Sequence, residues 1–387
     1  MVKSEKVFVS GAPITDLGER FDCARDDHMK SRERIRRLLN FEEADRVGFV
    51  DFPWGTTIEN WEEQGLPRGT FIQEHFEMDF YGLGVDVSPK FDEMKFDQGE
   101  NWIISRDRYG VKQKRWLGVD GIPLHIDPPF RDLQGFKDRI EPLLDPESPI
   151  RISSSRYPFR NELEEMVRKF QENFFVFASF FGTFEYTRHI CGGTKNALRY
   201  MMIDDKLTRA MYRCLAKFMG PLSSALCDAG CDCVWVFDDL GFADGPFFSP
   251  ANYRKYIMPA HKAITRPFRK RDLPAILHSD GNVNLLIPDI LDAGFTVLQP
   301  MEAKAGMDVI QLKEKYGDRM AFIGNMDARA IATNDLTQIK NEVIPKLEKA
   351  AQGGGYVLCS DHSIPPNVHL KTFEAYSKMA QKYGRYT

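Results

Sequence analysis

The chain lacks the marks of a nucleic-acid binder, a membrane protein or a disulfide scaffold. Its 52 Lys and Arg stand against 56 Asp and Glu, a formal net charge of −4. Proteins that bind nucleic acid carry a basic surface excess, so that class is disfavoured. No apolar run approaches the about 20 residues needed to cross a bilayer, and no long apolar core precedes a small-residue cleavage site near the start. Seven cysteines are scattered through 387 residues. That odd set, Cys23, Cys191, Cys214, Cys227, Cys231, Cys233 and Cys359, makes no disulfide framework. A reduced, cytoplasmic protein is expected. Neither a GxGxxG after the first strand nor a GxxxxGK[ST] occurs, so a dinucleotide fold or a phosphate-cradling loop has no support.

What is abundant is apolar and aromatic. Hydrophobic residues make up 43% of the chain, with 29 Phe, 13 Tyr and 5 Trp, enough for a large core and too much for disorder. Residues 1–30 are polar without a sustained period and read as an extension. Ser31 to Leu39 predicts a helix with a Ser cap and an acid in its first turn, and Arg46 to Asp51 predicts a short buried strand. The text from about 55 to 150 is rich in Trp, Phe, Gly and Pro. Within it, Asn101 to Ser105 and Val111 to Trp116 flank a turn ending in Gly110, a hairpin signal. The stretch reads as an insertion that caps a pocket.

After 155, short apolar strands near 174–180, 231–237, 274–277, 295–299, 320–324 and 356–359 alternate with helical text. That alternation implies parallel βαβ units. With the strand near 47–51 there are seven, one short of a (β/α)8 TIM barrel, so the remainder must come from before 150. A doubly wound sheet competes. The barrel is favoured because unusual polar residues recur directly after the strands, and barrel active sites sit at that face. The expected organisation is an N-terminal extension at 1–30 and a single barrel domain at 31–387 with an aromatic-rich insertion.

The strand-end residues carry the chemistry. His278 and Asp280, two apart on extended chain, can face one centre. Cys359 ends the last strand, and with His278 and a carboxylate it would make a zinc site with an open position; Glu302 follows another strand. Asp238 and Asp239 close the strand before His278 and, with His362, are candidates to orient or protonate a reacting group. Glu185, Tyr186, Trp235, Asn282 and Asn325 complete the candidates as substrate-contacting positions. Cys231 and Cys233 open a strand, the wrong end for catalysis, and read as core.

The segments Phe237 to Gly241, Gly245 to Tyr253, Tyr256 to Pro259, Leu277 to Asn282, Leu298 to Pro300, Tyr316 to Asp318, Ile323 to Asp327 and Gly353 to Tyr356 resemble, in order, the uroporphyrinogen decarboxylase superfamily. The resemblance implies a (β/α)8 barrel and one of two chemistries. One is cofactor-free decarboxylation of porphyrinogen acetates. The other is methyl transfer between a corrinoid protein and a small compound, with zinc held by a His-x-Cys pair and a distant Cys. The decarboxylases' N-terminal Arg-Phe segment is not found at the start of the barrel. His278 and Cys359 match the methyltransferase pattern, with Asp280 in place of the middle Cys and Glu302 as a substitute ligand. The resemblance therefore implies a corrinoid-dependent methyltransferase acting on a small methylated compound, a methoxylated aromatic among the candidates, in a pocket lined by the aromatics of the N-terminal third. Zinc would act as Lewis acid, and the corrinoid (cobalamin) would come from a partner protein. A metal-independent decarboxylase and a noncatalytic small-ligand barrel are the alternatives. Neither nucleic acid nor membrane is an expected partner, and a homo-oligomer is open.

Overall fold

The computed structural model describes residues 29–118, 121, 123–147 and 160–386. The extension predicted at 1–30 lies, apart from Met29 and Lys30, outside them. In chain order the strands are β1 (Gly48–Phe49), β2 (Phe80–Gly84), β3 (Met94–Gln98), β4 (Trp102–Arg106), β5 (Lys112–Trp116), β6 (Leu124–Asp127), β7 (Phe175–Phe181), β8 (Cys233–Phe237), β9 (Gly241–Phe242), β10 (Gly245–Pro246), β11 (Ala275–Ser279), β12 (Val297–Pro300), β13 (Ala321–Ile323) and β14 (Tyr356–Leu358). Eight of them run in the order β1-β14-β13-β12-β11-β8-β7-β2, a nearly closed parallel α/β barrel of the TIM type. Their side chains are buried almost throughout, as expected of parallel strands covered on both faces. The crossovers hold helices, among them α1 (Ser31–Leu39), α2 (Arg160–Gln171), α3 (Thr183–Ile190), α4 (Thr194–Ile203), α5 (Asp205–Asp228), α6 (Met258–Arg269), α7 (Leu336–Ala350) and α8 (Leu370–Tyr383).

The eighth strand is β2, inside the stretch read as insertion. Gly82 interrupts its apolar pattern because a Cβ there would lie 2.5 Å from the Phe177 ring. The cap of α1 also differs from expectation. Lys30 occupies the cap position with no side-chain bond, and Ser31 is a buried first-turn residue. That register turns Arg34 inward.

The chain forms two compact units, one built from the segments up to Leu83, Arg168–Phe177 and Val297–Thr387, the other from Gly84–Val167 and Ala178–Thr296. In the first, the barrel closes where the Asp79 N–H donates to the Phe49 carbonyl at 2.8 Å. The Asp79 carboxylate accepts the Phe49 N–H at 2.8 Å and pairs with Arg34 at 2.8 Å and Arg46 at 2.9 Å. Burial alone would raise this carboxyl, but the two guanidinium groups outweigh it and hold it below the usual range. Leaving such a buried charge without its partner costs about 3–5 kcal/mol.

The second unit contains an antiparallel sheet in the order β3-β4-β5-β6. Trp102 opposes Trp116, Ile104 opposes Lys114 and Lys114 opposes Leu124. The Lys114 ammonium lies 4.3 Å from the Trp102 ring centre. This face looks outward, with Met94, Phe96, Trp116, Leu124 and Ile126 exposed. On the opposite face Gln113 is buried and pairs with His125. The predicted hairpin is β4–β5, but its tryptophans point away from the body of the protein.

Candidate functional site

Three neighbouring strands, β7, β8 and β11, deliver the polar residues of the second unit from their C-terminal ends. Asp238 and Asp239 follow β8, His278 and Asp280 stand at the end of β11, and Glu185 and Arg188 lie on α3 directly after β7. Glycine makes the convergence possible. A Cβ on Gly281, which has φ +77°, would lie 2.4 Å from the Gly241 carbonyl carbon. Only glycine lets the β8 and β11 loops touch there. The Ser279 hydroxyl accepts the Leu240 N–H at 2.8 Å, and the Asp280 N–H donates to Asp239 Oδ1 at 3.1 Å.

The result is a cluster of one imidazole and two carboxylates. His278 Nε2 lies 3.6 Å from Asp239 Oδ1 and 3.8 Å from Asp280 Oδ1. One donor atom from each of Asp239, His278 and Asp280 falls within 4.8 Å of the others. Phe237 backs the imidazole at a ring-centre distance of 4.8 Å. One nitrogen and two oxygens form a donor set that suits zinc, with a coordination position left for substrate. It is harder than a thiolate set.

Beside it, Arg188 pairs with Glu185 and approaches Asp239 Oδ2 at 3.5 Å. Burial pushes the Glu185 carboxyl up to about 8, with Asp239 and Asp238 adding to the rise against the opposing Arg188 charge. Asp238 is buried completely. It accepts the Glu185 N–H at 2.6 Å and the Phe184 N–H at 3.3 Å at the start of α3, and His261 Nε2 at 2.6 Å. The His261 Nδ1 in turn bonds the Tyr253 hydroxyl at 2.9 Å. A carboxylate at a helix N-terminus is favourable, so Asp238 holds α3, and with it Glu185 and Arg188, in place. Gly182 makes room for it, since a Cβ there would come within 2.3 Å of the Asp238 side chain.

The other sequence candidates are distributed as follows. Trp235 is buried in the strand, stacked on Phe237 with ring centres 6.1 Å apart, and Tyr186 is buried edge-on to Tyr109 at 5.4 Å. The Asn282 side chain accepts the Asn284 N–H at 3.1 Å in the β11 loop. Cys359, Glu302, Asn325 and His362 belong to the first unit, and the metal-capable cluster does not contain them. Cys359 is wholly buried, and burial, with Asp51 beside it, pushes its thiol far up. Glu302 pairs with Lys304 at 2.7 Å. Asn325 spends its amide on the Met301 and Met307 carbonyls, at 2.6 and 2.8 Å, and on the Val309 N–H at 3.2 Å. His362 is exposed, its ring 6.4 Å from that of Trp54. Cys231 and Cys233 are buried, as expected of core residues.

Sequence reasoning did not single out Arg188, His189, His125 or His261. The first two follow Glu185 on one helix and offered a signal in their i+3 and i+4 spacing. His125 and His261 offered none.

The fold and its strand-end residues define an α/β barrel of the TIM class. The family described as "Uroporphyrinogen decarboxylase (URO-D)" matches residues 120–383, and the chain belongs to that family. Curated relatives include a uroporphyrinogen decarboxylase from Pelodictyon phaeoclathratiforme, 26% identical over 187 residues, covering 46% of this chain and 50% of the relative. A methylcobamide:CoM methyltransferase, MtaA, from Methanosarcina barkeri is 26% identical over 162 residues, covering 42% of this chain and 44% of the relative. The chain thus spans about half the length of the curated relatives it matches. Among solved structures, a methyltransferase from Methanosarcina mazei superposes with a TM-score of 0.63 at 16% identity, covering 92% of this chain and 99% of that one. At that identity the likeness is one of fold.

Proposed function

We propose that the protein transfers a methyl group between a small methylated compound and the corrinoid of a partner protein, with Asp239, His278 and Asp280 holding zinc. The observation that carries this reading is the convergence of one imidazole and two carboxylates at adjacent strand ends. The similarity to MtaA supports it. Asp239 here takes the ligand place that the sequence reading gave to Cys359, with Asp280 rather than Glu302 as the other carboxylate. Zinc held there supplies Lewis acidity toward the heteroatom that bears the methyl.

The chain's own residues do the rest. When the carbon–heteroatom bond breaks, its electron pair stays on the heteroatom, which then needs a proton. Glu185, whose carboxyl burial pushes up to about 8, is the proton donor on this side of the site. Arg188 holds Glu185 toward Asp239, and the Asp238–His261–Tyr253 chain fixes the helix that carries both. The test is methyl transfer from a panel of methoxylated, methylamine and methylthiol compounds to free cob(I)alamin. Transfer from one class, lost on the order of a hundredfold in Glu185→Gln, supports the proposal. A chain inactive on the whole panel that decarboxylates a porphyrinogen would install the second reading, which the decarboxylase relatives favour.

A further inference from the structure

A cavity of about 280 Å³ is lined by Leu124 and His125 of β6 and by Glu185, Arg188 and His189 of α3, and Arg188 links it to the triad through Asp239 at 3.5 Å. Its size falls just below the about 300 Å³ at which sites for drug-sized ligands begin, so its occupant is small. The Phe and Trp residues of the N-terminal third do not line it. Its polar side chains are firmly held. His189 bonds Asp107 at 2.6 Å, and Asp107 also accepts the Tyr109 and Val111 N–H groups at 3.0 and 2.9 Å. The His125 ring packs edge-on against His189 at 4.7 Å. His125 Nε2 is buried and has no hydrogen-bond partner among the described residues. Arg188, with its side chain 15% exposed, turns Nη2 to Glu185 and Asp239. Gly193 and Thr194, at the start of α4, also line the cavity. No side chain caps that ten-residue helix, so its first N–H groups add positive potential.

We propose that this cavity is an anion subsite that takes the carboxylate of a small methylated acid and presents its methyl-bearing end to the triad. The inference rests on the functional reading above for the identity of that end. With Nη2 engaged, Nη1 of Arg188 is left to donate a charge-assisted hydrogen bond to a carboxylate, and His125 Nε2 supplies a second contact. The guanidinium already faces Asp239, so the subsite has room for one added negative charge at most. A carboxylate therefore fits, whereas a phosphate dianion would meet Asp239 and Asp107 with charge to spare. Because Arg188 touches both the cavity and Asp239, a molecule anchored on it lies across the short span to the triad.

The experiment is calorimetric titration of the full chain with 4-methoxybenzoate and with 4-methoxybenzamide, which keeps the shape and removes the charge. The subsite predicts that the carboxylate binds tighter by on the order of tenfold or more. Arg188→Gln should abolish the preference, Arg188→Lys should restore part of it, and His125→Ala should weaken carboxylate binding in a chain that stays folded. Equal affinities, a preference that survives Arg188→Gln, or binding of neither compound would each overturn it. The readout needs no turnover: a carboxylate preference without methyl transfer would leave the subsite standing and remove the proposed function.

Discussion

Asp51 closes the first barrel strand with its carboxylate enclosed, accepting the Ser360 hydroxyl and the Phe52 N–H. Burial pushes it up to about 7 despite these bonds. The native state then binds the proton more tightly than the unfolded chain does. Its contribution to stability is complete below pH about 3.8, the unfolded value, and is lost as pH rises through about 7. Replacing Asp51 by Asn should flatten the fall of the melting temperature between pH 4 and 7, measured by calorimetry across that range. An unchanged slope would mean that the group is ionised in the fold. Asp239, by contrast, stands partly open beside His278, where a cation can reach it. Sequence reading found Asp239, His278 and Asp280 because strand ends converge in a barrel. It gave no notice of Asp51, since the carboxyl's burial depends on Ser360, more than 300 residues away in the chain.

At the scale of elements, the loops between strands set the site more tightly than the strands do. Gly281→Ala would place a Cβ against the Gly241 backbone at a positive φ. Such strain costs about 1–3 kcal/mol, and it would part the Asp280 N–H from Asp239. Urea denaturation should show the loss of stability, and metal binding should weaken with it; a variant with wild-type stability and metal affinity would contradict this account of the loop. The helices and later strands were legible because a period of 3.6 residues alternates with short apolar runs. β2 was hidden because Gly82 and Gly84 break its run and the surrounding text is aromatic. The hairpin β4–β5 was legible from its turn glycine, but composition does not say which way a strand's faces point. Alternation along β5 and β6 puts Lys114, Trp116 and Leu124 on one face and Gln113 and His125 on the other.

For the whole molecule, near-balanced charge and the barrel architecture agree with a pocket for one small substrate, and membership of the uroporphyrinogen decarboxylase family fixes the framework on which the site is built. The proposed ligand set was only half legible. His278 and Asp280 share a strand end two residues apart, but whether Asp239 or Cys359 completes the set depends on strand order and burial, which spacing in the chain does not encode. The central claim is that Asp239, His278 and Asp280 bind zinc. Its most direct test is the metal content of the full chain purified without added zinc, measured by mass spectrometry beside Asp239→Ala, His278→Ala, Asp280→Ala and Cys359→Ser. The account predicts about one zinc per chain in the unaltered protein and in Cys359→Ser, and substoichiometric metal in the other three. A chain without zinc, or zinc retained in His278→Ala and lost in Cys359→Ser, would contradict it.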